Sequence, residues 1–381
     1  MRVLVVTNDL PPRVGGIQYY VDQLCRGLVN AGDEVVLFGS ESPGWRDHDA
    51  VAPYGVVREP TEMLLPTPTV RRHVLELAGR MRAEVAVFGA AFPLGALARP
   101  LRRAGVPSVG FTHGLEVTAV RAPGGRSALR FIGDALGAVT YVSVWCRDSL
   151  RPAFGPRPEH VMLPPAVDLG RFNSAVDGRW VRRRHGIGED PLVVCVSRLV
   201  ERKGQDRLID CLAGWRAAVP GTRLMIVGDG PFAGELRSRA DRAGVQEWVT
   251  FTGQVPEKEL PAHFAAADVF AMPCRERRLG LEVEAFGIVF IQSQAVGVPV
   301  VAGNIGGVPD AVRDGLTGLL VDGTDVAQVG TAVESLLRDD GLRATMGRAG
   351  ADWVAAGFGW EQRTGQLRTL LEHLRASRAT R

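Results

Sequence analysis

The stretch RVLVVTNDLPPRVGGIQYYVDQLCRGLVNAGDEVVLFG, residues 2–39, decides the fold. It opens with an apolar, β-branched run, crosses a loop rich in Pro and Gly, carries apolar residues at helical spacing, and closes on a second apolar run. Strand, helix and strand in that order make a βαβ unit with parallel strands. The alternation continues through EVAVFG (84–89), SVGFTHG (108–114) and AVTYVS (138–143). Prolines then cluster in LPPAVDLGRFN (163–173), marking a linker. Beyond it the pattern restarts with LVVCVSRL (192–199), RLMIVGDG (223–230), WVTFTG (248–253), VFAMPC (269–274) and PVVAGN (299–304). The expected fold is α/β, with two Rossmann-like domains facing across a cleft. They span residues 1–168 and 169–360, and an amphipathic helix over 361–381 closes the chain.

The 381 residues, 46% hydrophobic and 23% charged, suit a globular chain with two cores. Five cysteines are scattered without CxxC or Cys/His ligand spacing, which points to a reduced setting and no metal site. The leading apolar run is shorter than a secretory signal, and no segment has the length of a membrane span. A cytoplasmic protein is expected. Its basic residues are 43 arginines and only two lysines, Lys203 and Lys258, so each retained lysine invites inspection. Arginines gather in VRRHVLELAGRMR (70–82) and RPLRRAG (99–105). Such segments are either solvated helix faces or a peripheral contact with an anionic membrane at its inner face. Nucleic acid is not expected as a partner, because acids are interspersed and no aromatic residues accompany the arginines.

Ligands of parallel sheets bind beyond the carboxyl ends of the strands, so the loops that follow the strands are the places to look. After LVVCVSRL, Arg198 and Lys203 stand five residues apart on one strand-end loop, where two cations can converge on an anion such as a diphosphate. GIVFIQSQAVG then reads as a helix whose N-terminus offers the backbone N–H groups of Gly287 and Ile288 to a phosphate. Glu284, just outside that helix, either holds hydroxyls of an attached sugar or supplies favourable charge at the N-terminus. Gly228 in GDGP and Val255 in TGQVP mark two further strand-end loops. In the first half, Gly15 and Gly16 follow strand one, but PPRVGGIQYY lacks the GxGxxG fingerprint, which disfavours nicotinamide or flavin chemistry. His113 follows the strand in FTHGLEV.

Taken together, these motifs resemble the retaining GT-B glycosyltransferases of family 4. Within that family they are similar to the actinobacterial GDP-mannose-dependent phosphatidylinositol monomannoside mannosyltransferases. The resemblance runs nearly end to end through THGLEV, VSRLVERKGQD, MIVGDGP, GLEVEAFGIVF and AVGVPVVAGNIGGVPDAV. It implies that Arg198 and Lys203 hold the donor diphosphate, with Gly16 against it and Ile288 and Val289 donating from their backbone. It also implies that Glu284 holds hydroxyls of the transferred sugar, that His113 lies beside that sugar, and that the TGQVP loop borders the base. The donor is a nucleotide sugar, GDP- or UDP-linked, and no other cofactor or metal is implied. Catalysis then consists of positioning and stabilisation of the leaving diphosphate.

The chain departs from the family at several points. Gln292 stands where the family has a Glu that binds the nucleotide ribose, and an amide lacks the charge that strengthens that bond. THGLE replaces the subgroup's THGHE at Leu115, Tyr19 replaces a smaller residue, and RERRLGLEVEAFG replaces RTRGGGLDVEGLG. Three readings stay open on the sequence: transfer to a lipid-linked inositol mannoside, transfer by a paralogue to a small-molecule hydroxyl acceptor, and non-catalytic binding of a nucleotide sugar. The motifs argue against a GT-B epimerase.

Overall fold

A computed structural model of the chain describes residues 1–13, 15–277, 280 and 282–377. Among them the chain forms two compact units, Met1–Pro165 with the segment from Trp360 onward, and Ala166–Gly359. Five helices carry or brace the residues of interest: α1 (Gly16–Asn30), α2 (Leu115–Arg121), α3 (Gln205–Ala218), α4 (Ile288–Ala295) and α5 (Trp360–Ala376).

In the first unit the strands are β1 (Arg2–Thr7), β2 (Glu34–Ser40), β3 (Gly55–Glu59), β4 (Val85–Phe88), β5 (Ser108–Thr112), β6 (Ala138–Tyr141) and β7 (Glu159–Met162). They pair in the order β3-β2-β1-β4-β5-β6-β7, every neighbour parallel. Strand β4 and residues 3–7 of β1 are wholly buried, as a parallel sheet covered on both faces requires. The edge strands β3 (GVVRE) and β7 (EHVM) are half exposed. They lack a continuous apolar run, which is why the sequence pattern does not reveal them.

The closing helix is part of this unit. Leu367, Leu370, Leu371 and Leu374 of α5 join a core with Val3, Val85 and Leu24. Close contact with α1 needs Gly27, where an added Cβ would lie 2.0 Å from Thr364 Oγ1. The boundary therefore falls at Pro165, three residues before the sequence places it, and the chain returns to its first core at Trp360.

In the second unit the strands are β8 (Leu192–Val196), β9 (Arg223–Val227), β10 (Val249–Gly253), β11 (Val269–Met272), β12 (Val300–Gly303) and β13 (Gly318–Val321). Their order is β10-β9-β8-β11-β12-β13, again all parallel. Both sheets reverse direction of winding once, between β1 and β4 in the first unit and between β8 and β11 in the second. At such a switch point neighbouring loops diverge to opposite faces and leave a crevice for a ligand.

Candidate functional site

The second unit gathers its charge at the switch between β8 and β11. After β8 the chain turns at Leu199, where the Val200 N–H donates to Arg198 O at 3.0 Å, makes a second tight turn over Glu201–Lys203, and passes through Gly204 at φ +82° into α3. An L-residue resists that backbone conformation, and a Cβ at Gly204 would lie 2.2 Å from Pro273 O in the loop after β11. The loop is held from within by fully buried Gln205, whose Nε2 donates to Ser197 Oγ at 2.7 Å and Arg198 O at 3.1 Å. Gly228 serves the same loop. Its backbone passes so close that a Cβ would sit 2.1 Å from Ser197 O.

The turn presents two cations to one carboxylate. Glu284 Oε2 accepts from Arg202 Nη1 at 2.8 Å and from Lys203 Nζ at 2.5 Å. Its side chain and that of Lys203 are each only 11% exposed. Burial pushes the Glu284 carboxyl up, but the charges and hydrogen bonds of Lys203 and Arg202 outweigh it and hold the group below its ordinary value. Glu284 is thus ionised and enclosed beside two cations.

The anion that Lys203 meets within the protein is thus Glu284, and the second cation there is Arg202. Arg202 joins Lys203, whereas Arg198 is exposed and its guanidinium has no hydrogen-bond or ion-pair partner among the described residues. The physical reason is the turn at 201–203, which brings adjacent residues round to Glu284 while Arg198 lies before it, at the turn its carbonyl makes with the Val200 N–H. Arg202 escaped the sequence reading because it is one arginine of 43, while Lys203 stood out as one lysine of two. Its neighbour in sequence was the available signal.

The loop after β11 is anchored by a second missed pair. Arg275, buried after β11, forks onto Asp206 at the start of α3 with both contacts at 2.9 Å. Glu201 also pairs with Arg277. Arg278, Leu279 and Leu281, part of the divergent RERRLGLEVEAFG segment, lie outside the described residues.

Helix α4 begins at Gly287, φ +86°, with no side-chain cap. The first N–H groups of a helix have no intrahelical acceptor, so Ile288 and Val289 present donors at this end. Ile288, Val289 and Gln292 share its half-exposed side, while Phe290, Ile291, Ser293, Gln294 and Ala295 are buried. The Gln292 amide makes no hydrogen bond among the described residues. Val255, half-buried, follows the edge strand β10, two strands away from β8.

The first unit has its own cluster beyond β1, β4 and β5. His113 Nε2 lies 2.7 Å from Gly89 O, so this nitrogen carries the hydrogen and Nδ1 keeps its lone pair. Burial pushes the imidazole down to about 4, against the smaller opposing effect of that bond. The ring is neutral at physiological pH. The Tyr20 ring stands edge-on to it at 5.4 Å, and the Tyr20 hydroxyl donates to Leu163 O at 2.9 Å. Under the turn, buried Glu116 accepts the His113 N–H at 3.1 Å. Burial raises its carboxyl to about 7, although backbone N–H groups of the turn pull it down.

Gly15 and Gly16 are exposed at the start of α1, and a Cβ at Gly15 would collide with Gln18 Oε1 at 2.2 Å. Gln18 in turn donates to Asp9 Oδ1 at 2.7 Å. Of the departing residues, Tyr19 packs edge-on to Trp360 at 5.8 Å and Leu115 is 68% exposed. Among the described residues no cluster of His, Cys, Asp and Glu could hold a metal ion.

Residues 14–171 match the family model for glycosyltransferase family 4, and residues 180–353 match that for glycosyl transferases group 1. The chain is 47% identical over 381 residues to the GDP-mannose-dependent α-(1-6)-phosphatidylinositol monomannoside mannosyltransferase of Mycolicibacterium smegmatis, covering 99% of this chain and 100% of that one. It is 39% identical to the GDP-mannose-dependent monoacylated α-(1-6)-phosphatidylinositol monomannoside mannosyltransferase of Corynebacterium glutamicum, covering 97% and 98%. Among solved structures, HepE of Anabaena in complex with UDP superposes with a TM-score of 0.82 at 19% identity, over 98% and 100% of the two chains. Sucrose-phosphate synthase of Thermosynechococcus elongatus superposes with 0.83 at 23% identity, over 99% of both. These likenesses establish the two-domain GT-B fold.

Proposed function

The chain belongs to glycosyltransferase family 4, and from that premise we propose how its residues serve the transfer of mannose from GDP-mannose to a phosphatidylinositol-mannoside acceptor. The observation that carries the reading is the meeting of Lys203, Arg202 and Glu284 at the switch point of the second sheet. A diphosphate needs fixed positive charge and backbone donors, which Lys203, Arg198 and the start of α4 offer. The sugar's hydroxyls need an acceptor, which Glu284 offers. The transition state loads charge onto the leaving diphosphate, and preorganised cations stabilise it there. Neutral His113, held by Gly89 and Tyr20, contributes a fixed acceptor at Nδ1 rather than a charge.

A lipid acceptor also implies contact with a membrane surface. Exposed Met63 and Leu65 follow β3, Phe92 follows β4, Leu115 follows β5 and Val144 follows β6, giving the carboxyl edge of the first sheet an apolar rim. Arg71, Arg72, Arg80 and Arg82 are exposed on or just after the helix Pro68–Arg80, and Arg99 lies over exposed Phe131 at 5.3 Å. No helix among the described residues is long and apolar enough to cross a membrane. On this reading the protein docks peripherally, through the apolar rim together with Arg71 and Arg72 near the start of their helix. Sedimentation with phosphatidylinositol vesicles tests this: binding at low salt that weakens as salt rises is expected. Absence of binding at low salt would point to a soluble acceptor. For the donor, calorimetry across a panel of nucleotide sugars should single out GDP-mannose, and preference for a UDP sugar would refute that assignment.

A further inference from the structure

Resting on the donor-site reading above, we infer that Arg202 is the positioning residue of Glu284, and that the Lys203–Glu284 ion pair keeps the donor's place until a nucleoside diphosphate draws Lys203 away. Both cations bind the same oxygen, Oε2, at 2.8 and 2.5 Å. That leaves Oε1 as the face of the carboxylate available to a sugar hydroxyl.

An anionic phosphate oxygen offers Lys203 the same chemistry that Glu284 now offers. Two anions therefore compete for one ammonium. The enclosed carboxylate cannot be left without a cation, because a buried charge is tolerated only when paired. Once Lys203 turns to the diphosphate, Arg202 is the partner that remains.

The geometry suits this division of labour. Arg202 is braced, since its carbonyl accepts the Arg275 N–H at 2.9 Å and Arg275 is itself forked onto buried Asp206. The Glu284 backbone is pinned as well. Its carbonyl accepts from Gly307 N at 2.9 Å, and Gly306 lies so near that a Cβ there would sit 2.2 Å from that oxygen. Lys203, on four flexible methylenes, is the member able to change partner without moving the frame.

The test is calorimetry with GDP on the full chain, together with kcat and KM for GDP-mannose, for the wild type, Glu284→Gln, Arg202→Gln, Arg202→Lys and the double variant Arg202→Gln/Glu284→Gln. Removing the competing charge should tighten GDP binding by about threefold to tenfold in Glu284→Gln, while transfer falls by over tenfold. Arg202→Gln should lower kcat by over tenfold with KM changed far less, and Arg202→Lys should restore part of it. In the Glu284→Gln background, Arg202→Gln should leave GDP affinity unchanged, since its role runs through the carboxylate. If Glu284→Gln does not fold, Glu284→Ala carries the same expectation. GDP binding no tighter without the Glu284 charge overturns the competition. Equal weakening by Arg202→Gln in both backgrounds makes Arg202 a direct phosphate ligand and overturns the positioning role. A wild-type protein that binds no GDP overturns the donor-site reading and this inference with it.

Discussion

Lys203 and Arg198 differ in what they do before a ligand arrives. Lys203 is enclosed and already paired, whereas Arg198 is exposed and unpaired among the described residues. Both should matter once a diphosphate binds, because each charge-assisted hydrogen bond contributes about 1.5–3 kcal/mol. Lys203→Ala and Arg198→Ala should each lower kcat/KM for mannosyl transfer by about tenfold or more. Unchanged kinetics in either folded variant would remove that residue from the donor site. Gln292 poses a separate question. It lies one helical turn beyond Ile288, on the half-exposed side of α4, with its amide uncommitted. Gln292→Glu would supply an ionised acceptor and should tighten donor binding by up to about 1–2 kcal/mol in calorimetry. Weaker binding would mean that the pocket is shaped around the amide, and no change would mean that position 292 does not touch the donor.

At the scale of the element, the turn from β5 into α2 couples two groups whose titrations oppose each other. His113 falls to about 4 from its ordinary 6.5, so between those values the unfolded chain carries a proton that the folded protein lacks. Stability from this group rises with pH across that window. Glu116 is raised to about 7 from its ordinary 4.5, so between those values the folded protein carries the extra proton, and its contribution falls as pH rises. Each effect reaches up to about 3 kcal/mol by linkage. Denaturant unfolding between pH 4.5 and 6.5 should separate them: the stability of wild type over His113→Asn should grow with pH, and that over Glu116→Gln should shrink. Parallel curves for all three proteins would contradict the environments assigned to these groups. Neither shift is legible in FTHGLEV, because it depends on Gly89 and on burial beneath the turn. The buried strands, by contrast, are legible, since a parallel strand covered on both faces must be apolar throughout. The half-exposed strands β3 and β7 announce themselves less clearly for the same reason.

For the whole molecule, the sequence carries the succession of βαβ units and hence two parallel sheets, but not the return of α5 to the first core, which depends on Gly27 and Thr364 meeting across helices far apart in the chain. The site is likewise half legible. Glu284 and Lys203 stand out in their motifs, while Arg202 and the Asp206–Arg275 fork become visible only when loops after β8 and β11 meet. The family's reaction is transfer of mannose with retained configuration and without a metal, and the proposed function assigns the residues named in each unit to it. The most direct measurement is transfer from GDP-mannose to phosphatidylinositol monomannoside presented in vesicles, in the presence of EDTA, with the anomeric configuration of the product read by NMR. An α-linked dimannoside formed at a rate insensitive to EDTA, and lost by about tenfold or more in Lys203→Ala, is the predicted result. A β-linked product, a requirement for a divalent ion, or no product from GDP-mannose while another nucleotide sugar is consumed would contradict it.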